Sequence, residues 1–128
     1  MGQRIFAENR VQELLEKAPA LPKDIEWHMI GHLQSNKGKF IAPFVSLIQS
    51  VDTFKLLQEI NTQGKKNGRI IPCLLQIFIA DEETKYGFSE AEIRTLLDNG
   101  QLAALGHIQV KGLAEPPIQS ISFQIDDG

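Results

Sequence analysis

Cysteine is nearly missing from this sequence. Cys73 is the only one in 128 residues, so no disulfide can close within the chain and a reducing compartment is expected. Three histidines and that one thiol are too few for a structural zinc site, and no metal is expected. Neither sign of charge dominates: 13 basic and 16 acidic side chains leave a net charge of −3, spread along the chain. That excludes the electrostatic footprint of a nucleic-acid binder. The densest basic cluster, Lys65 and Lys66 beside Arg69, reads as a solvated helix end. No run approaches the roughly 18 apolar residues of a membrane span. The N-terminus shows no apolar signal core, and Phe6 stands where a myristoylation site needs Ser or Thr. A cytoplasmic protein is the expectation.

What is present is an alternation of short apolar strands with amphipathic helices, the pattern of βα units around a parallel sheet. Ile5 to Ala7 enters as a strand. From Glu8 to Lys17, Val11, Leu14, Leu15 and Ala18 recur at helical spacing, and Pro19 and Pro22 end the helix. Ile25–Ile30 and Val45–Ser50 read as the second and third strands. Asp52 is placed to cap a helix whose face is Phe54, Leu57 and Ile60, with Asn67-Gly68 closing it. Ile70–Ala80 is apolar almost throughout, as a parallel strand covered on both faces would be, and Cys73 within it reads as an inert buried thiol. Ser89 with Glu92 forms a capping box ahead of the stripe Ile93, Leu96 and Leu97, and Asn99-Gly100 ends that helix. Ile108–Val110 is a fifth strand. No repeat or linker divides the chain, so residues 1–128 are expected to form a single α/β domain, a segment of a (β/α)8 barrel with about five parallel strands. The tail from residue 114 to 128 departs from this rhythm: Ile118 to Ile125 alternates with a period of two after Pro116-Pro117.

In such a barrel the functional side chains collect at the C-terminal ends of the strands. Here that means Glu8 and Asn9, Gly31 to Lys37, Ser50 to Asp52, and Asp81 to Gly87. The densest of these segments is Trp27-His28-Met29-Ile30-Gly31-His32-Leu33-Gln34-Ser35-Asn36-Lys37, continued by Lys39, Phe40 and Ile41. It resembles the signature of the pyridoxal phosphate homeostasis proteins, a family with the alanine-racemase-type barrel. Phe6-Ala7-Glu8-Asn9-Arg10-Val11-Gln12-Glu13 resembles that family's Phe-Gly-Glu-Asn turn and the helix after it. Ile48-Gln49-Ser50-Val51-Asp52 and Glu82-Glu83-Thr84-Lys85-Tyr86-Gly87-Phe88 follow in the expected order. The resemblance covers Arg4 to Leu113.

The resemblance implies pyridoxal 5'-phosphate as the cofactor, buffered and delivered rather than turned over, so no enzyme is expected. It puts Asn9 at the pocket wall and a lysine at the place of Lys85, while alternation along the second strand turns His28 to the barrel interior if Trp27 and Met29 face the helices; with Gly31 of the signature these are the expected cofactor-binding residues, and no catalytic residue is assigned. It also implies an imine-forming lysine on a strand some two dozen residues ahead of Phe6, where this sequence has five, and a phosphate-holding Gly/Ser/Arg segment with no match after Leu113. The expectation is a chain truncated at both ends with impaired cofactor binding. Racemase activity is not expected, because Tyr86 is the only tyrosine and the racemases need a second domain. Other readings stay open. Asn9 could instead cap the helix, and His28 could be a satisfied core histidine. Gln34, Ser35 and Asn36 could simply shape the loop. Lys85 could be a surface partner of Glu82 or Glu83. The chain as a whole could be a non-binding half-barrel that self-associates through exposed sheet edges.

Overall fold

Strands of parallel-sheet character, separated by helices with a single apolar stripe, assemble into one sheet in the computed structural model, which describes residues 5–77 and 87–114. The order is β1 (Ile5–Glu8), α1 (Val11–Lys17), a 3-10 turn (Ala18–Ala20), β2 (Glu26–Met29), a second 3-10 turn (Ser35–Lys37), α2 (Gly38–Ile41), β3 (Leu47–Val51), α3 (Phe54–Lys66), β4 (Ile71–Gln76), α4 (Glu90–Asp98) and β5 (Ile108–Ala114). The five strands lie in sequence order and every pair is parallel, the arrangement expected of consecutive strands of a barrel. No helix among the described residues is long and apolar enough to cross a membrane. Lys85 and the tail of alternating residues after Pro117 lie outside the described residues.

Parallel register makes paired residues point the same way, so the sheet has two chemically distinct faces. Ala7, His28 and Leu47 align on one face, while Glu8, Met29, Ile48 and Cys73 align on the other. The second face is the apolar one. Trp27, Met29, Ile48, Ile71, Cys73, Leu75 and Ile108 form a single buried cluster with Leu14 of α1, Ile41 of α2, and Leu56, Leu57 and Ile60 of α3. Burying one such aliphatic side chain contributes about 1.5–3 kcal/mol, so this layer is the main source of stability. Cys73 is fully buried within it, and desolvation pushes its thiol up to about 12.

Several boundaries differ from the sequence reading. Glu8 ends β1 and is buried on the helix-covered face, its carboxylate 2.6 Å from the Lys17 ammonium, so the helix starts only at Val11. The N-cap of α3 is Thr53, whose hydroxyl accepts from the Leu56 amide at 3.1 Å; Asp52 is drawn away by His32, 3.3 Å distant. Leu97 is 60% exposed, because α4 meets the core only along Ile93 and Leu96. Arg69 is not part of a solvated cluster. Its guanidinium donates to the carbonyls of Ala42 at 2.5 Å and Val45 at 2.7 Å, tying the α2 end to the start of β4. Beside it, α3 passes so close that a Cβ on Gly64 would sit 2.6 Å from the His107 carbonyl oxygen.

The capping box is formed as the sequence indicates: the Glu92 amide donates to the Ser89 hydroxyl at 3.1 Å and the Ser89 amide to the Glu92 carboxylate at 3.2 Å. Ser89→Ala should therefore destabilise the fold by about 1 kcal/mol. Chemical denaturation checks this, and an unchanged midpoint would mean the cap carries no stability.

Candidate functional site

The C-terminal ends of β1, β2 and β3 are locked together by backbone contacts that only particular side chains permit. The Ile30 amide donates to the Glu8 carbonyl at 2.9 Å, extending the β1–β2 ladder past the end of both strands. One residue further, Gly31 lies so close to Asn9 that a Cβ would fall 2.2 Å from the Asn9 carbonyl oxygen. No side chain fits there, which is the physical need for glycine at this point in the sequence. From the third strand, the Ser50 hydroxyl donates a short hydrogen bond to the Gly31 carbonyl. The pairing of β3 with β4 is irregular between Ile48 and Val51. Over that stretch two successive side chains reach back toward β2 and its following loop: Gln49 to His28 and Ser50 to Gly31.

Asn9 and Gly31 are thus brought together. The residue that caps α1 is Arg10, in extended conformation, and among the described residues no side chain caps that helix. Asn9 is exposed, and among the described residues its amide makes no hydrogen bond, which removes the capping explanation for it. Asn9 directly follows β1, and its backbone forms the junction with Gly31.

His28 sits one layer deeper on the face away from the helices and is 7% exposed. Its Nδ1 is 3.3 Å from the Gln49 side-chain nitrogen, and its Nε2 faces the Glu26 carboxylate at 3.7 Å. Burial holds its pKa below the ordinary 6.5, outweighing the opposite pull of Glu26. Both neighbours select one tautomer. An amide N–H directed at Nδ1 needs a lone pair there, and a carboxylate facing Nε2 favours a proton there. The neutral Nε2–H form follows. Gln49 is fully buried, and among the described residues its side-chain oxygen has no hydrogen-bond partner. Sequence reasoning missed this pair; the glutamine inside an otherwise apolar strand was the available signal.

His32 and Asp52 join the loop after β2 to the end of β3. Gln34 leads into the 3-10 turn formed by Ser35, Asn36 and Lys37, the loop-shaping role considered for the three polar residues. Lys85, the fourth expected cofactor residue, is outside the described residues. Among the described residues no group of histidine, cysteine and carboxylate side chains is arranged to hold a metal ion.

No family profile matches the chain. Curated proteins do. It is 38% identical over 117 residues to a pyridoxal phosphate homeostasis protein of Aquifex aeolicus, an alignment covering 91% of this chain and 50% of that protein. It is 37% identical over 119 residues to the protein of the same name from Haemophilus influenzae, covering 91% and 49%. The chain therefore spans about half the length of these relatives. Among solved structures, PipY of Synechococcus elongatus without PLP superposes with a TM-score of 0.80 at 34% identity, over 96% of this chain and 59% of that one. PipY with PLP bound gives 0.74 at 32%, over 96% and 58%. An alanine racemase of Clostridium difficile, 14% identical with a TM-score of 0.65 over 96% of this chain and 34% of that one, shares the fold. The resemblance read from the motifs and the parallel barrel-type fold are both borne out.

Two measurements probe the geometry. Gly31→Ala should cost on the order of 1–3 kcal/mol, because the strand ends must part to admit a methyl group; a variant as stable as the parent would refute the close approach. Nitrogen-15 NMR of the histidines should find His28 neutral and protonated at Nε2 at pH 7. In Gln49→Glu, whose ionised side chain can only accept, the proton should move to Nδ1 or the ring should charge. A proton on Nδ1 in the parent protein would contradict the assignment. Because the unfolded chain binds this proton more readily, stability should fall as pH drops through the ordinary imidazole value of 6.5.

Proposed function

We propose, on the premise that this chain is homologous to the pyridoxal phosphate homeostasis proteins over about half their length, that it forms part of a pyridoxal phosphate site at the C-terminal ends of its strands. The role is cofactor buffering and delivery, without turnover. The observation that carries this reading is the junction of Asn9 and Gly31, where a glycine without room for a Cβ presents an uncommitted amide at the strand ends. The position matches where barrel proteins gather ligand-binding groups. A 32% identical solved relative, described with PLP bound, supports the choice of ligand.

The residues fit the cofactor's chemistry unevenly. Asn9 can donate to or accept from the polar substituents of the pyridine ring, Gly31 allows close approach of backbone, and His28, held neutral, adds a polar wall below. Lys85 is the amine of this chain proposed to reach the aldehyde. When bound, the cofactor supplies an aldehyde that an amine can capture as an imine. Asn9, His28 and Gly31 are proposed to hold the cofactor weakly by themselves, since a charge-assisted phosphate site and a covalent bond are hard to replace with neutral amides.

A second reading rests on the sheet's edges. Among the described strands, β1 and β5 each have one hydrogen-bonded neighbour, and β5 exposes Val110 at 36% and Leu113 at 52%. Such edges template association, so a self-associating module that binds no cofactor is the alternative. Light scattering that reports a monomer across a wide concentration range would remove it.

Titrating the isotope-labelled chain with pyridoxal phosphate should shift the amide signals of Asn9, His28 and Gly31, and Asn9→Ala should weaken those shifts. Signals unmoved at the strand ends would overturn the assignment of the site. Borohydride reduction followed by peptide mapping should give substoichiometric adducts with Lys85 the most heavily labelled. A stoichiometric adduct on one lysine would overturn the expectation of weak binding.

A further inference from the structure

Outside the strand-end junction, a groove of about 500 Å³ opens between the first turns of α1 and the loop that carries the second 3-10 turn into α2. Val11, Leu15 and Phe40 give it an apolar lining, and Arg10 and Lys37 flank that lining. Leu15 is 36% exposed and Phe40 45%, a concentration of large apolar surface that a folded chain ordinarily covers. Two cations lie near the Phe40 ring, the Lys37 ammonium 6.0 Å and the Lys39 ammonium 5.3 Å from its centroid. Among the described residues neither Arg10 nor Lys37 makes an ion pair with a carboxylate.

We propose that this groove docks a segment of a partner polypeptide in which a bulky apolar residue is flanked by aspartate or glutamate. The charge argument is local. The chain as a whole carries a net charge of −3, yet Arg10 and Lys37 line this groove and the Lys39 ammonium stands near its Phe40 ring. An acidic, apolar segment complements both features at once: its side chain covers Leu15 and Phe40, and its carboxylates meet Arg10, Lys37 and Lys39. The polar lining groups also favour a polypeptide over a small molecule. Arg10, Gln12, His32, Gln34 and Lys37 are all exposed, as a polar interface rim is, whereas small-molecule sites gather a few polar groups in an enclosed pocket.

The groove adjoins the strand-end junction without sharing its contacts. Arg10 directly follows Asn9 and His32 directly follows Gly31, the two residues whose backbones touch. A docked segment would lie beside that rim. The proposal holds whether or not pyridoxal phosphate is the ligand there, because it rests on the groove's own residues.

The test titrates the nitrogen-15-labelled chain with the acetylated and amidated hexapeptide Asp-Asp-Phe-Leu-Asp-Asp. Two controls of equal length are Lys-Lys-Phe-Leu-Lys-Lys and Asp-Asp-Gly-Ser-Asp-Asp. The acidic apolar peptide should give saturable shifts at Val11, Leu15, Lys37 and Phe40, weakened by added salt, and both controls should bind less tightly. Arg10→Glu with Lys37→Glu should weaken binding roughly tenfold, while Lys65→Glu, on the last turn of α3, should leave it unchanged. Arg10 and Lys37 occupy the N-cap positions of α1 and α2, but both side chains are exposed and neither makes a cap hydrogen bond, so the paired variant should keep the parent's circular dichroism. Absence of saturable shifts at these residues, equal binding of the lysine peptide, or indifference to the paired charge reversal would each overturn the proposal. So would phenylacetate binding as tightly as the peptide, which would make the groove a small-anion pocket.

Discussion

The approach of Gly31 to Asn9 is the constraint on which the upper end of the sheet depends. Two strand ends can meet at that distance only if one residue has no Cβ, and the resulting contact fixes where Asn9 and the whole loop from Gly31 to Lys37 begin. The third strand is held to the same point by the Ser50 hydroxyl on the Gly31 carbonyl, and the His32–Asp52 pair repeats the link one residue further out. Loops that carry function are commonly mobile; here the first residues of the loop are tied to three strands. The groove beside it is positioned by the same contact, since Arg10 and His32 directly follow the two touching residues.

A second constraint is the asymmetry of the sheet. Its helix-covered face is filled by aliphatic and aromatic side chains that release water on burial, and it admits polar groups only where they are satisfied, as Glu8 is by Lys17. The opposite face carries His28 and Gln49, and there the energetic logic is reversed: polarity is retained and charge is suppressed. A buried imidazolium would lose its hydration, a cost that the Glu26 carboxylate at 3.7 Å does not offset, so the ring is held toward its neutral form with Gln49 and Glu26 at its two nitrogens. Among the described residues the Gln49 oxygen has no partner in this layer, a cost of about 1–3 kcal/mol that an apolar residue would avoid.

The sequence by itself determined the class of fold, the order of the main helices and strands, and the resemblance to the pyridoxal phosphate homeostasis proteins. Those features are local or nearly so: a 3.6-residue period, a capping box spanning Ser89 to Glu92, and motifs whose residues are contiguous. Tertiary structure decided which residue of each local set is used. Asp52 and Thr53 are both competent helix caps, and a histidine from another loop settled the choice by engaging Asp52. Arg69 is one more cation in the sequence, yet carbonyls 27 and 24 residues away made it a structural tie. Leu97 has the spacing of a core residue, but the width of the α4 contact left it in solvent. The junction of Asn9 with Gly31 and the pairing of His28 with Gln49 join residues about twenty positions apart. Periodicity records which way a side chain points from its own element, and it holds no information on which element arrives opposite; that is fixed only when the strands take their register.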